Sequence, residues 1–185
     1  MADILLGHAY FLKYDIIERR VMKPYPPLGI LYLSAYLKRA GFNVEVFDST
    51  FKDFDNFEAA VRTCRPRIVG LYANIITREN VFRLAQIAKS NGVEFVVVGG
   101  PDASEWCDRY FANGVDVIGI NEGELTLEEL IPWLQQKGLT GLENVRGIMF
   151  RKDGRVHRTP PRNGMARRPL ADRAPCHAGE LRAGL

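Results

Sequence analysis

The sequence predicts an α/β domain, a doubly wound five-stranded parallel sheet with an appended C-terminal β-hairpin. Three observations carry this. Strand-like and helix-like patterns alternate with short breaks as far as Lys137, the signature of a parallel sheet wrapped by helices. Phe95-Val-Val-Val98 is a short apolar run rich in β-branched residues, as expected of a central strand buried on both faces. Asp153-Gly154 stands between Val145–Phe150 and Arg155–Arg158, a strong short-range hairpin signal.

Taken in order, Asp3-Ile-Leu-Leu6 reads as strand one. A loop of about twenty residues, Gly7 to Pro27, leads through Pro26-Pro27 into an apolar helix from Leu28 to Ala40, closed by Gly41. Asn43–Phe47 is strand two, Phe54–Cys64 a helix, and Arg67–Tyr72 strand three. The next helix sets Val81, Leu84, Ala85 and Ala88 at i, i+3, i+4, i+7, with Thr77 as its expected N-cap. After the Phe95–Val98 strand, Asp102 and Glu105 predict a boxed helix start running to Ala112. Val115–Gly119 is strand five. Leu127, Leu130, Ile131 and Leu134 then mark a last helix, with Thr126 and Glu129 as its expected capping box and a kink expected at Pro132. The division that follows is an α/β domain over 1–141, a hairpin over 142–162 and a tail over 163–185. The tail is Arg/Ala/Gly/Pro-biased, without apolar periodicity, and is expected to be disordered.

Composition narrows the class. An apolar share of 46% is too high for a disordered chain. No apolar run approaches the roughly 18 residues of a membrane span, and the N-terminus lacks a signal peptide's order. Three scattered cysteines, Cys64, Cys107 and Cys176, suggest no disulfide framework, so a cytoplasmic setting is expected. The net charge of +3 is divided unevenly: residues 1–150 hold 16 Lys/Arg and 19 Asp/Glu (−3), residues 151–185 hold 9 and 3 (+6). The body therefore has no basic face interleaved with aromatics, and neither nucleic acid nor membrane is expected as a partner.

In an open doubly wound sheet, ligands bind beyond the carboxyl ends of the strands. Strand one is followed by the long loop, and loops that long tend to be functional or disordered. Strand three is followed by Ala73-Asn-Ile-Ile-Thr77, strand four by Gly99-Gly-Pro101, strand five by Ile120-Asn-Glu-Gly-Glu124. These loops describe a crevice floored by backbone and rimmed by amides and hydroxyls, wide enough for a large flat ligand. No G-x-G-x-x-G follows strand one, there is no Walker A lysine, no hydroxyl-rich flavin-phosphate loop, and no receiver-type acidic pair. By themselves, Gly99-Gly100 also reads as a strand-to-helix turn, Thr77 as a cap, and Glu122 and Glu124 as complements to a helix dipole. Trp106 and Tyr110, four apart, read as helix packing.

Four segments in order carry a resemblance: Pro26-Pro-Leu-Gly-Ile-Leu-Tyr-Leu-Ser-Ala-Tyr-Leu37, Val69-Gly-Leu-Tyr-Ala-Asn-Ile-Ile-Thr77, Val98-Gly-Gly-Pro101 and Asn121-Glu-Gly-Glu-Leu-Thr126. Over about residues 3–162 the chain resembles the N-terminal cobalamin-binding domain of cobalamin-dependent radical S-adenosylmethionine enzymes. The resemblance implies a Rossmann-like, flavodoxin-like fold that holds cobalamin across the carboxyl edge of the sheet. It places Pro27, Leu28 and Gly29 at the corrin border, and Asn74, Ile75 and Thr77 at the corrin amides or the nucleotide tail. Gly99, Gly100 and Pro101 would let that tail pass, and Glu122, Gly123 and Glu124 would close the far side. Asn121 stands where the family usually has Gly, which asks Asn121 for a left-handed backbone that asparagine tolerates.

The D-x-H-x-x-G motif of methionine synthase-like domains is missing. His8 follows strand one without an Asp two places before it, so the resemblance implies cobalamin bound with its own base displaced and no histidine beneath. The C-x-x-x-C-x-x-C triad of a [4Fe–4S] cluster is also missing, so radical chemistry is not expected of this chain alone. A separate radical S-adenosylmethionine domain or protein is the partner this implies, for methyl transfer or cyclisation, and a truncated gene product is one source of such a chain. Two other readings stand beside it: a flavodoxin-like binding or sensor module acting through a protein partner, and a non-catalytic remnant.

Overall fold

The computed structural model describes residues 1–22, 24 and 26–162, and the tail expected over 163–185 lies outside the described residues. Five parallel strands form the centre: β1 (Ile4–His8), β2 (Val44–Phe47), β3 (Ile68–Tyr72), β4 (Phe95–Gly99) and β5 (Val117–Gly119). Their order is β2-β1-β3-β4-β5, the flavodoxin-like arrangement, whose switch point lies between β1 and β3. The hairpin does not stand apart. Its strands β6 (Ile148–Lys152) and β7 (Arg155–Arg158) continue the same sheet, β6 pairing antiparallel with β5. Asp153 and Gly154 turn with φ of +51° and +75°, as a tight two-residue hairpin loop requires.

Strand alternation sends successive side chains to opposite faces. Ile4, Leu6, Ile68, Val97 and Val117 pack with α2 (Leu28–Arg39) and α7 (Glu124–Lys137) on one face. Leu5, Val69, Leu71, Val96, Val98 and Ile118 pack on the other with α3 (Phe54–Cys64), α4 (Arg78–Ser90), α5 (Pro101–Glu105) and α6 (Cys107–Ala112). The long loop after β1 carries a 3-10 turn at Leu12–Tyr14 and one short helix, α1 (Glu18–Val21). Ala9, Phe11 and Leu12 anchor its first part in the core.

Three expected caps are not made. Thr77 occupies the N-cap of α4, but its hydroxyl accepts from Asn74 N at 3.1 Å and makes no cap bond. Asp102 does not box a helix with Glu105. Its carboxylate is taken by Arg78 and Tyr110, and the helix breaks at Trp106 into α5 and α6. α7 starts two residues before Thr126, whose hydroxyl donates to Glu122 O at 3.2 Å, while Glu129 pairs with Arg162. Pro132 lies inside α7, which runs on to Lys137 at the cost of one backbone bond.

Candidate functional site

A cavity of about 960 Å³ opens at the carboxyl edge of the sheet, at the upper end of the range usual for ligand pockets. It reaches down between α2, α7 and the sheet, where Leu6, Ile30, Leu33, Val97 and Leu127 make an apolar slot. Gly70 lines this slot from mid-strand and leaves room for the Leu6 side chain: a Cβ there would stand 2.7 Å from Leu6 Cδ2. A glycine inside a strand is the one signal in the sequence that marks such an approach.

The double glycine at the end of β4 divides two tasks. Gly99 faces open space, since a Cβ built there meets nothing within 4 Å. Gly100 has φ +115°, and a Cβ would fall 2.1 Å from the Ala73 carbonyl oxygen, so only glycine fits. Ala73 N also donates to Gly99 O at 2.8 Å, drawing the loops after β3 and β4 together.

That junction is fixed by charge. Arg78, one residue after Thr77, holds Asp102, one residue after Pro101, through two hydrogen bonds, one of them 2.7 Å from Nε to Oδ2. Tyr110, fully buried, donates to the same Oδ2 at 2.6 Å. The Arg78 guanidinium holds the Asp102 carboxyl below its ordinary value and is itself raised in return. Burial, with Asp102 beside it, pushes the Tyr110 phenol well up. Arg78 also lies over the Trp106 ring, 5.1 Å from its centroid.

Asn74 Oδ1 accepts from the backbone N–H of Ile76 and Thr77, both at 3.0 Å, which folds the loop at the start of α4. Thr77 is buried within that loop, while Ile76 projects at the cavity rim. Pro27, Leu28, Gly29, Asn74, Thr77, Gly99, Gly100, Pro101, Glu122, Gly123 and Glu124 all line the cavity; Ile75 is exposed and does not. Asn121 takes the left-handed backbone asked of it, with φ +62°.

Sequence reasoning missed several lining residues: Tyr10, Asp15, Glu18, Tyr72 and Ser104. It also placed His8 in a loop, whereas His8 is the last residue of β1 and is buried. His8 Nε2 lies 2.9 Å from Asp48 Oδ1, and Nδ1 lies 3.4 Å from Tyr10 N and 3.3 Å from Ser49 Oγ. Burial alone would raise the Asp48 carboxyl, but hydrogen bonds from Thr50 and His8 outweigh it and leave it below its ordinary value.

The profile of the B12 binding domain family matches residues 15–131, which span the cavity walls from the first loop to α7. The chain belongs to the B12-binding domain family. Curated relatives of this B12-binding domain include an uncharacterized methyltransferase of Pyrococcus horikoshii, 32% identical over 151 residues, or 79% of this chain and 32% of that protein. The anaerobic magnesium-protoporphyrin IX monomethyl ester cyclase of Rubrivivax gelatinosus is 31% identical, covering 74% of this chain and 26% of the cyclase. The hopanoid C-3 methylase of Methylococcus capsulatus is 29% identical, over 66% and 24%. The chain thus spans about a quarter to a third of these relatives. The radical S-adenosylmethionine methyltransferase TsrM of Kitasatospora setae, solved with cobalamin and a [4Fe–4S] cluster bound, has the same fold. It superposes with a TM-score of 0.68 at 20% identity, over 87% of this chain and 29% of TsrM. Among the described residues, no group of His, Cys, Asp and Glu could hold a metal ion, and no helix is long and apolar enough to cross a membrane.

Proposed function

We propose that this B12-binding domain holds cobalamin in the cavity at the carboxyl edge of the sheet and offers it to a radical S-adenosylmethionine domain or protein. The observation that carries the reading is the pair Gly99 and Gly100: one glycine leaves the floor bare, the other locks the loops on either side of it. The cavity's volume suits a large guest, and its mix of an apolar slot with a rim of amides and carboxylates suits a macrocycle edged by carboxamides.

Pro27, Leu28 and Gly29 at the start of α2 border the guest on one side. Asn74, with Oδ1 committed to the backbone, keeps its amide nitrogen for it, and Thr77 holds that loop in shape. Gly99, Gly100 and Pro101 form the bare floor, and Glu122, Gly123 and Glu124 the opposite wall. When bound, cobalamin supplies transferable methyl groups; the protein's share is to position it and to shape its surroundings. The names of the relatives support methyl transfer or cyclisation as the reaction of the larger assembly. A cytoplasmic, reducing setting goes with this reading, and Cys64 and Cys107 are both free thiols.

The test is retention of colour. The purified chain, incubated with hydroxocobalamin and desalted, keeps a corrin absorption band in the visible. Gly99→Leu sends a side chain into open floor, so it should fold with unchanged melting and lose the band by at least about tenfold, or roughly 1.4 kcal/mol. A colourless wild-type chain overturns the proposal, as does a Gly99→Leu chain that retains cobalamin fully.

A further inference from the structure

Glu124 is the first residue of α7 and lines the cavity. Its Oε2 is buried and meets no hydrogen-bond donor. A buried carboxylate oxygen without a donor is costly, and native proteins rarely keep one unless something else fills the gap. The rest of the wall makes the kind of donor predictable. Asp15, Glu18, Glu122 and Glu124 all line the cavity, and no Lys or Arg does so among the described residues. An anionic group entering beside Glu124 would meet like charge, whereas a neutral amide brings two N–H donors and no charge.

We propose that Glu124 selects the guest's rim, its Oε2 accepting a hydrogen bond from a carboxamide N–H and disfavouring a carboxylate at the same place. This rests on the cobalamin reading, because the corrin edge is where such amides come from. It assigns Glu124 a specificity that a residue merely complementing the helix dipole would lack. The two roles also differ in sign without ligand. An acid that serves the dipole stabilises the empty fold, whereas an unpaired buried acceptor burdens it.

The experiment compares two corrinoids on the full chain by visible titration: dicyanocobinamide, whose side chains are amides, and dicyanocobyrinic acid, whose side chains are free carboxylates. A hydrogen bond to a charged acceptor is worth roughly ten- to a hundredfold in affinity. Wild type is expected to prefer the amide form by at least about tenfold, and Glu124→Gln to reduce that preference by at least about threefold, with Asp15, Glu18 and Glu122 keeping the remainder. Glu124→Met, which removes the acceptor at similar volume, is expected to weaken cobinamide binding while raising the melting temperature of the ligand-free chain. Equal preference in wild type and Glu124→Gln overturns the inference and leaves the cobalamin reading in place. A ligand-free Glu124→Met chain that melts lower than wild type also overturns it, since the acid would then be serving the helix. If wild type binds neither of these tailless corrinoids, this inference is overturned; if it also fails to retain hydroxocobalamin, the cobalamin reading falls with it.

Discussion

At the scale of single residues, the site is defined as much by what is engaged as by what is open. Gly100 is irreplaceable because the Ala73 carbonyl occupies the place of a Cβ, and Gly99 is useful because nothing does. His8 has the same lesson in polar form. Among the described residues it is the histidine that lines the cavity, yet Nε2 faces Asp48 and Nδ1 faces Tyr10 N and Ser49. A ring whose two nitrogens are both in hydrogen bonds must break one of them to bind a metal, and the loss is worth about 1 kcal/mol or more. Cobalamin held by this chain is therefore expected to lack a histidine ligand. After reduction to cobalt(II), electron paramagnetic resonance should show no three-line nitrogen splitting, and a splitting removed by His8→Ala would refute this.

At the scale of elements, α4 and α5 are joined by the Arg78–Asp102–Tyr110 contacts, and these set the gap between two walls of the cavity. Asp102→Asn leaves the guanidinium without its counter-charge, and breaking a buried pair in this way is strongly destabilising. For a chain of this size a fall in melting temperature of roughly 10 °C is expected, read by calorimetry. The pH dependence has a definite sign. The Asp102 carboxyl is held below its unfolded value by Arg78, so its contribution is present above about pH 4 and is lost as pH falls through the lower, folded value. Wild type should lose melting temperature in that acid range more steeply than Asp102→Asn, and parallel profiles would count against the assignment. None of this was visible in the sequence, because the partners stand 24 residues apart. The elements themselves were legible wherever the signal is local: the Phe95–Val98 run, the Asp153-Gly154 turn and the α3 bounds all match. Three-residue spacings suggested capping boxes at Asp102 and Thr126, but the distant Arg78 and Arg162 claimed Asp102 and Glu129, and Thr126 turned to the Glu122 carbonyl one turn earlier. His8 escaped as a strand residue because the partner that extends β1 to it is Tyr72 of β3, far away in sequence.

At the scale of the whole molecule, the hairpin completes the site without touching the guest's floor. Ile120 N donates to Gly147 O at 2.8 Å, and Gly147 N in turn donates to Pro160 O at 2.9 Å. The chain returning from β7 therefore braces the loop that carries Asn121, Glu122, Gly123 and Glu124. Thr159 secures this return: it is buried, and its hydroxyl accepts from Ile148 N at 3.0 Å and contacts Ile148 O at 3.2 Å. Thr159→Val keeps the shape and removes these bonds, leaving Ile148 N–H without its side-chain acceptor. A loss of about 1–2 kcal/mol follows, or roughly 2–8 °C in melting temperature without ligand. The informative quantity is the further rise when hydroxocobalamin is added. At a hundredfold excess over Kd, binding stabilises by about 2.7 kcal/mol, roughly 5–11 °C. If the hairpin braces the far wall, Thr159→Val raises Kd as well, and a tenfold rise cuts the ligand's contribution to about 1.4 kcal/mol at the same concentration. The variant should therefore start lower and gain less. A variant that starts lower but gains the full increment would show that the hairpin supports the sheet alone, and that the wall of Glu122 and Glu124 stands without it.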